Sequence, residues 1–472
     1  MSKHPGTPLV ARVPVSLWQN RDFVVLWSGG LVSILGTGIS RITYPLLVLA
    51  VTRSPIQAGL VGALRAVPYL FLGLPAGALV DRWNRKRVMI LCDAGRALNM
   101  GTVPLALWLG HLTVAQLYVN SVIGGVLYVL FSTAEATYLP HVVPTEQIPA
   151  AAAAEQAMSS GTNVVGPPLG GFLFQLGQAI PFLADALSYT ASVIALLFVR
   201  TEFQEQRSPT TRNLRREIAD GIRWLWDQPV LRFVYVATGG LSLAVSSVAL
   251  VVIVIAKGEH ASAVVIGLMF SATGLGGLLG SVVAPRLQKR LGFGGVIIAA
   301  TWAMAILWPL LAVAPNPPLL GIALGGMAFA IPIHGIAIVS YRLATTPDQL
   351  RGRVASVARV IAWSTEPAGM ALSGILIQGI GAANTAFAFG AWVALVAGAT
   401  TLYGPLRRFV APEQAAQDRR DSATKRVRVC SFCNKTNPEV RWMISGRSSV
   451  IICNECVSRC NELIAEAEGM PA

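Results

Sequence analysis

Five of the six cysteines in this 472-residue chain lie between Cys430 and Cys460. Cys430-Ser-Phe-Cys433 and Cys453-Asn-Glu-Cys456 form two C-x-x-C pairs separated by 19 residues. Each pair can present two thiolates from one tight turn, and four thiolates complete a tetrahedral zinc site. The spacing therefore predicts one structural Zn2+ held by Cys430, Cys433, Cys453 and Cys456. Two disulfides are the alternative, and the redox compartment separates the two readings. Cys460 follows on a predicted helix, Val457 to Ala467, as a core residue rather than a fifth ligand. Cys92, alone in an apolar stretch, reads as a buried small hydrophobe. A closed four-cysteine site leaves no position for a substrate. No G-x-x-x-x-G-K-[ST] loop and no nucleophile-and-base arrangement stands out, so an enzyme is not expected.

A second set of chemically capable residues lies inside apolar stretches: Arg41, Arg65, Asp93, Arg96, Glu135, Glu155, Asp185, Arg359 and Glu366. A charge at the centre of a bilayer costs about 2.5–3.5 kcal/mol on insertion scales, so each needs a reason to be there. Asp93 and Arg96, three residues apart on a helix, can neutralise each other. With Glu155 they fall near the ends of their stretches, where snorkelling is cheap. Glu135 and Glu366 lie deeper and are the candidates for carrying a proton, since desolvation brings a carboxyl toward a useful pKa. Asp185 fits a structural role as well as a coupling one. Arg41, Arg65 and Arg359 read as counter-charges or cavity residues, and His334 as a packing residue.

These groups need a membrane to sit in, and the composition supplies it. Hydrophobic residues make up 54% and charged residues 13%, with a mean hydropathy of +0.59. A soluble domain carries about 25% charge. The net charge is +14, but the basic residues form short clusters between apolar stretches, which is membrane-protein placement rather than a nucleic-acid footprint. Twelve spans are predicted: 23–51, 57–80, 88–110, 113–137, 150–175, 180–200, 230–256, 264–285, 294–314, 318–341, 354–378 and 383–404. The first is too long for the apolar core of a cleavable signal. Alternate connections carry Arg82, Arg85, Lys86 and Arg87, then Arg200 through Arg232, then Arg286, Lys289 and Arg290, then Arg342, Arg351 and Arg353. The opposite connections hold little beyond Arg53 and Lys257. The positive-inside rule then places both termini in the cytoplasm of a multi-pass inner-membrane protein. A reducing cytoplasm favours zinc over disulfides for the tail.

The expected organisation is an N-terminus (1–22), a six-helix lobe (23–200), a connection (201–229), a second six-helix lobe (230–404), a polar linker (405–427) and the cysteine-bearing domain (428–472). The connection places Leu214, Ile218, Ile222 and Leu225 on one helical face with Arg215, Arg216 and Arg223 opposite, a helix suited to the membrane surface. The halves echo each other. Val143-Pro144-Thr145-Glu146-Gln147-Ile148 precedes the fifth span and Thr346-Pro347-Asp348-Gln349-Leu350 precedes the eleventh. Pro167 and Pro367 are then expected to kink the two spans at equivalent places. Such a repeat is the trace of two lobes that rock about a central site.

Gly77-Ala-Leu-Val-Asp81-Arg82-Trp-Asn84-Arg85-Lys86, at the exit of the second span, places a helix-packing glycine four residues before a carboxylate. That carboxylate can accept from the free amides of another helix's N-terminus. The run resembles the signature loop of the major facilitator superfamily, G-x-x-x-D-R-x-G-R-K, with Asn84 in place of glycine. Asparagine tolerates a left-handed backbone, so the turn is expected to be kept. The resemblance implies that Asp81, Arg82, Arg85 and Lys86 form a latch against the start of the eleventh span, near Arg351-Gly352-Arg353. Gly161-x-x-x-x-Gly166-Pro167-Pro168-Leu169-Gly170-Gly171 is similar to the exporter signature G-P-x-x-G-G of the same superfamily. Leu17 to Phe23, Leu183 to Ser188 and Arg351 to Ser356 resemble its twelve-helix drug and macrolide efflux branch. The resemblance implies a two-lobed transporter, a small-molecule substrate and proton-driven export; uptake is the alternative direction. The tail, from Cys430 through Glu439-Val440-Arg441 to Cys460-Asn461-Glu462, resembles the zinc-binding domain of ClpX, the unfoldase of the Clp protease. That implies zinc and a protein contact or homodimer, but no unfolding activity, because no ATPase module follows. A membrane-anchored adaptor is therefore the reading that competes with transport.

Overall fold

The computed structural model describes residues 16–201, 203, 214–314, 316–407, 429–436, 439–445 and 450–468. The side chains of Ala78, Asp81, residues 214–217 and Ser445 also lie outside the described set. The chain divides into two compact units, Met1–Phe409 and Val410–Ala472.

Helix starts in the first unit follow local chemistry. Asn20 caps α1 (Arg21–Thr52) by accepting from Phe23 N at 3.2 Å. Ser54 caps α2 (Pro55–Leu72), where Pro55 occupies the first turn and removes an amide that would have no partner. The second predicted span breaks at Gly73 and Leu74 and resumes as α3 (Pro75–Arg82). Then come α4 (Arg85–Trp108), α5 (Val114–Glu135), a short α6 (Leu139–Val142), α7 (Ile148–Leu176) and α8 (Ile180–Phe198). The connecting α9 (Leu214–Trp226) leads to α10 (Pro229–Val245) and α11 (Val248–Gly258), which are two pieces of one predicted span. α12 (Ala263–Val313) carries two predicted spans, separated by Gly292 at φ 68°, ψ 176°. Without a Cβ, glycine reaches that conformation cheaply. α13 (Pro317–Thr345), α14 (Arg351–Trp363), α15 (Glu366–Ile380), α16 (Ala382–Leu402) and α17 (Gly404–Arg407) complete the unit.

Each of the twelve predicted spans is thus helical. Nine helical stretches of the described residues are long and apolar enough to cross a membrane unaided. Counting α12 twice and adding α4 and α7 restores twelve. α4 carries the Asp93–Arg96 pair, and α7 is rich in alanine, glycine and serine. Neither is apolar enough by itself to stand among the nine. Pro367 corrects one expectation: it occupies the first turn of α15, after the chain has already broken at Ser364 and Thr365, and kinks no helix from within. Pro167 and Pro168 do lie inside a helix, α7.

The two six-helix lobes meet along α7 against the first half of α12, and α2 against α15. Glycines set the distance. A Cβ on Gly267 would fall 2.4 Å from Pro167 O, one on Gly171 2.1 Å from Ala263 O, and one on Gly374 2.5 Å from Pro55 O. All lie toward the end of the lobes opposite the Arg82–Arg87 turn. Toward that basic end, the Cβ positions of Gly77 and Gly161 have no atom within 4 Å. The close helix approach expected at Gly77 is therefore not made in this arrangement of the lobes.

α9 does more than tie the halves together. Leu225 is wholly buried in the core of the second lobe, while Ile222 and Trp226 stay exposed. Asp220 Oδ2 pairs with Arg353 Nη1 of α14 at 3.3 Å. Gly221 backs onto the same residue, its Cβ position 3.0 Å from Arg353 O. Part of the amphipathic face therefore closes on protein and part stays exposed.

In the second unit, β1 (Met443–Ser445) pairs antiparallel with β2 (Ile451–Cys453), and α18 (Asn454–Glu468) follows directly. This helix starts three residues before the predicted Val457. Asn454 supplies the reason: its Oδ1 accepts from Arg441 N and Trp442 N, and its own amide bonds Trp442 O at 3.1 Å. Cys456 thereby falls in the first helical turn.

Candidate transport and metal sites

The ionisable residues expected to snorkel do the opposite. Asp93 and Arg96 are buried in the first lobe and paired at 3.1 Å. Arg96 Nη2 also donates to Tyr189 Oη at 3.0 Å, and that hydroxyl meets Thr37 Oγ1 at 3.0 Å. The guanidinium lies 4.2 Å from the Tyr189 ring centroid and 5.3 Å from that of Phe131. Arg96 persists so far from water because Asp93 and Tyr189 each take one of its guanidinium nitrogens and aromatic rings cover its face. Asp185, one helical turn before Tyr189, is wholly buried, with Ser188 Oγ 3.4 Å from Oδ1. It interacts electrostatically with Arg96 and Arg65. Asp93, Arg96, Asp185 and Tyr189 thus form a single polar knot joining α1, α4 and α8.

Nearer the lobe interface, Arg41 is exposed and donates to Asn163 of α7. Arg65 of α2 lies within electrostatic range of Arg41 in its own lobe and of Glu366 in the other. Tyr69 and Trp363 pack ring to ring across the lobes at 5.7 Å. Gly166, Pro167, Gly170 and Gly171 are all buried where α7 meets α1 and α12. The proline run therefore serves backbone-to-backbone approach: Gly166 faces Gly38, and Gly170 faces Ile39 O.

Glu135 occupies a different place, a cavity of about 290 Å3 within the first lobe alone. Glu155, read from sequence as an end-of-span residue, lines it too and accepts from the Tyr138 hydroxyl. Sequence reasoning missed Tyr138, Tyr189, Asn163 and Trp27, since one aromatic or amide in an apolar helix carries no period of its own.

At the basic end, the side chain of Asp81 lies outside the described residues. Arg82 is exposed, Arg85 is buried, and Lys86 Nζ donates to Val199 O at 2.6 Å. Asn84 corrects a second expectation. Its backbone is extended, at φ −67° and ψ 110°, not left-handed. It serves as the N-cap of α4, accepting from Arg87 N at 3.0 Å. Asparagine substitutes for the usual glycine here by capping.

In the tail, the Sγ atoms of Cys430, Cys433, Cys453 and Cys456 all lie within 4.8 Å of one another. The Cys430–Cys456 separation is 3.8 Å and Cys433–Cys453 3.5 Å. Zinc–sulfur bonds of about 2.3 Å in a tetrahedron place sulfurs roughly 3.8 Å apart, so the cluster fits that ion. The first pair sits on a tight turn: Asn434, at φ 59°, returns its amide to Cys430 O at 2.9 Å. Burial raises the Cys430 thiol, but the amides of Cys433, Phe432 and Cys453 outweigh it and bring the thiol down to about 6. Cys460 is exposed on α18, apart from the cluster and from any core.

The family model described as transmembrane secretion effector matches residues 13–429, nearly all of the membrane unit. The chain belongs to the major facilitator superfamily. A ClpX C4-type zinc finger model matches residues 428–466, the cysteine-bearing tail. Among relatives, the multidrug efflux pump Tap of Mycolicibacterium fortuitum is 29% identical over 73% of this chain and 87% of its own length. Tap of Mycobacterium tuberculosis H37Rv is 28% identical over 76% and 87%. The enterobactin exporter EntS of Citrobacter koseri is 25% identical over 81% and 91%. Two solved structures superpose well: the nucleoside transporter NupG (TM-score 0.65, 13% identity, 82% of this chain and 99% of that one) and a bacterial homologue of the iron transporter ferroportin in an inward-facing state (0.64, 17%, 81% and 98%). The relatives and structure neighbours named here are transporters.

Proposed function

We propose that this chain is an inner-membrane exporter of drug-like or amphiphilic small molecules, driven by the proton gradient through alternating access. The observation that carries the reading is the match to multidrug efflux pumps over most of both chains. Glycine-set contacts between the lobes at one end, with open space around Gly77 and Gly161 at the other, support a rocking motion about a central cavity. The positive-inside pattern puts the end bearing Arg82 to Arg87, and both termini, in the cytoplasm. Arg41 and Arg65 line the cavity, Glu366 or Glu135 carries the proton, and Asp81 with Arg82, Arg85 and Lys86 latches the cytoplasmic end when the lobes close there. The tail holds one structural zinc ion and makes a protein contact, to a partner or to a second copy.

Export by everted vesicles, driven by a proton gradient and screened over a drug panel, tests the reading. Gradient-independent fluxes for every compound would end it. Asp81→Asn keeps the shape and removes the charge, so transport should fall at least tenfold at normal expression; undiminished transport would remove the latch. Glu366→Gln or Glu135→Gln should abolish uphill export yet permit downhill exchange. If both variants still pump uphill, Asp185 becomes the coupling group to test.

A further inference from the structure

Within the first lobe, at its basic end, a cavity of about 290 Å3 opens between α1, α5, α7 and α8. That volume is near the lower bound for small-molecule sites. It does not border the second lobe, so it is not the inter-lobe cavity that alternating access requires. Its wall holds two carboxylates, Glu135 and Glu155, and no Lys, Arg or His among its lining residues. The rest is largely apolar or aromatic, with Trp27, Phe131 and Tyr138 prominent. Two of these side chains are fixed from behind. Trp27 Nε1 donates to Ala154 O at 3.2 Å, and the Tyr138 hydroxyl donates to Glu155. The nearest cation acting on Glu135 is Arg96, which is already held by Asp93 at 3.1 Å and by Tyr189.

Two like charges facing one apolar cavity are unfavourable in a membrane protein until a proton or a cation joins them, so a bound cation and a proton compete for this pair. Aromatic walls suit a cation whose charge is spread over an organic body, because ring faces attract it and apolar surface covers the rest. A small metal ion would instead want a full shell of oxygens.

We infer that this cavity is a binding site for a lipophilic organic cation, held between Glu135 and Glu155 against Trp27 and separate from the inter-lobe cavity. The inference rests on the export reading only for its role, which is capture of cationic substrates from the cytoplasmic side; the binding stands by itself. Charge, rather than grease alone, is what the site selects.

Tetraphenylphosphonium and tetraphenylborate have the same shape and opposite charge, and their separate binding to the purified full-length protein in detergent decides the matter. Equilibrium dialysis should show one saturable phosphonium site and none for the borate. Glu135→Gln and Glu155→Gln should each weaken phosphonium binding at least tenfold. Ala152→Phe, at an exposed position of the wall, should block it without touching a charge. Glu366→Gln and Arg41→Ala, which border the other cavity, should leave it within about twofold. Equal binding of the borate, indifference to both glutamine variants, or an equal loss with Glu366→Gln would each overturn the inference. Size-exclusion profiles matching the unsubstituted protein confirm that a weakened variant is folded, and Ala152→Phe gives a second route if a glutamine variant is not. Phosphonium bound at this site by a protein that exports nothing would defeat the export reading and leave the site standing.

Discussion

Cys453→Ser in the full-length protein should unfold the tail completely and release its metal. Cys453 is wholly buried at the end of β2, with Sγ 3.5 Å from that of Cys433. Its amide is also directed at Cys430 Sγ, 3.4 Å away. The described residues of this unit form two three-residue strands and one helix, and they bury little apolar side chain to hold that fold. Zinc binding in small four-ligand peptides supplies on the order of 10–16 kcal/mol, far more than such a fold can muster otherwise. Metal analysis should give one zinc per chain for the unsubstituted protein and close to none for the variant. Amide exchange across 429–468 should become fast, while exchange in α1 to α16 stays slow, because those helices belong to the other compact unit. Cys460→Ser should do neither, since Cys460 stands outside the cluster; equal zinc loss there would mean the ligand set is wrong. A tail that keeps its protection in strong chelator would remove the metal altogether. Transport by the Cys453→Ser variant then separates two roles for the tail: survival makes it a recruiting appendage, and complete loss makes it a gate.

The second large effect belongs to the lobe interface. Gly267→Val should reduce transport at least tenfold, because even the Cβ it adds would lie 2.4 Å from Pro167 O and 2.8 Å from Pro168 Cα. Both are backbone atoms of a proline-stiffened turn and cannot swing aside as a side-chain tip would. Overpacking at such a contact costs about 1–3 kcal/mol, which displaces a two-state equilibrium roughly 5- to 150-fold. The penalty falls on the arrangement in which α7 and α12 touch, and not on either lobe alone. Insertion and expression should therefore remain near normal. A cysteine at Val264→Cys, beside the Gly171 contact, should react faster with an impermeant maleimide in the Gly267→Val background. Unchanged labelling with unchanged transport would show that this contact takes no part in the cycle. Gly77→Ala is the counterpart: nothing lies within 4 Å of its Cβ position here, so any transport defect must come from a state in which the basic end closes.

How much of this was written in the chain divides along a physical line. Periodicity, hydropathy and charge are local, and they were sufficient for twelve helices, two lobes, a basic face and a four-cysteine tail. The spacing of Cys430, Cys433, Cys453 and Cys456 pointed to one four-thiol cluster, and the fold brings those four Sγ atoms within 4.8 Å of one another. The family likewise follows from Gly77 to Lys86 and Gly166 to Gly171, short runs whose residue types are their message.

Tertiary structure decided the surroundings of each charge. Asp93, Arg96 and Glu155 look alike to a hydropathy scale, near the ends of their stretches. Folding buries the first two in a knot with Tyr189 and turns the third into a cavity with Glu135. Pro367 reads like Pro167 in sequence, yet one stands in the first turn of a helix and the other lies within one. Asn84 keeps the signature loop through its side chain, a choice between capping and a left-handed turn that one residue's identity leaves open. Local pattern tells where a charged side chain starts. Only the packing of helices distant in sequence determines whether it ends against water, a counter-charge or a ligand, because the energy of a charge is set by all the dipoles and ions around it and not by its own segment.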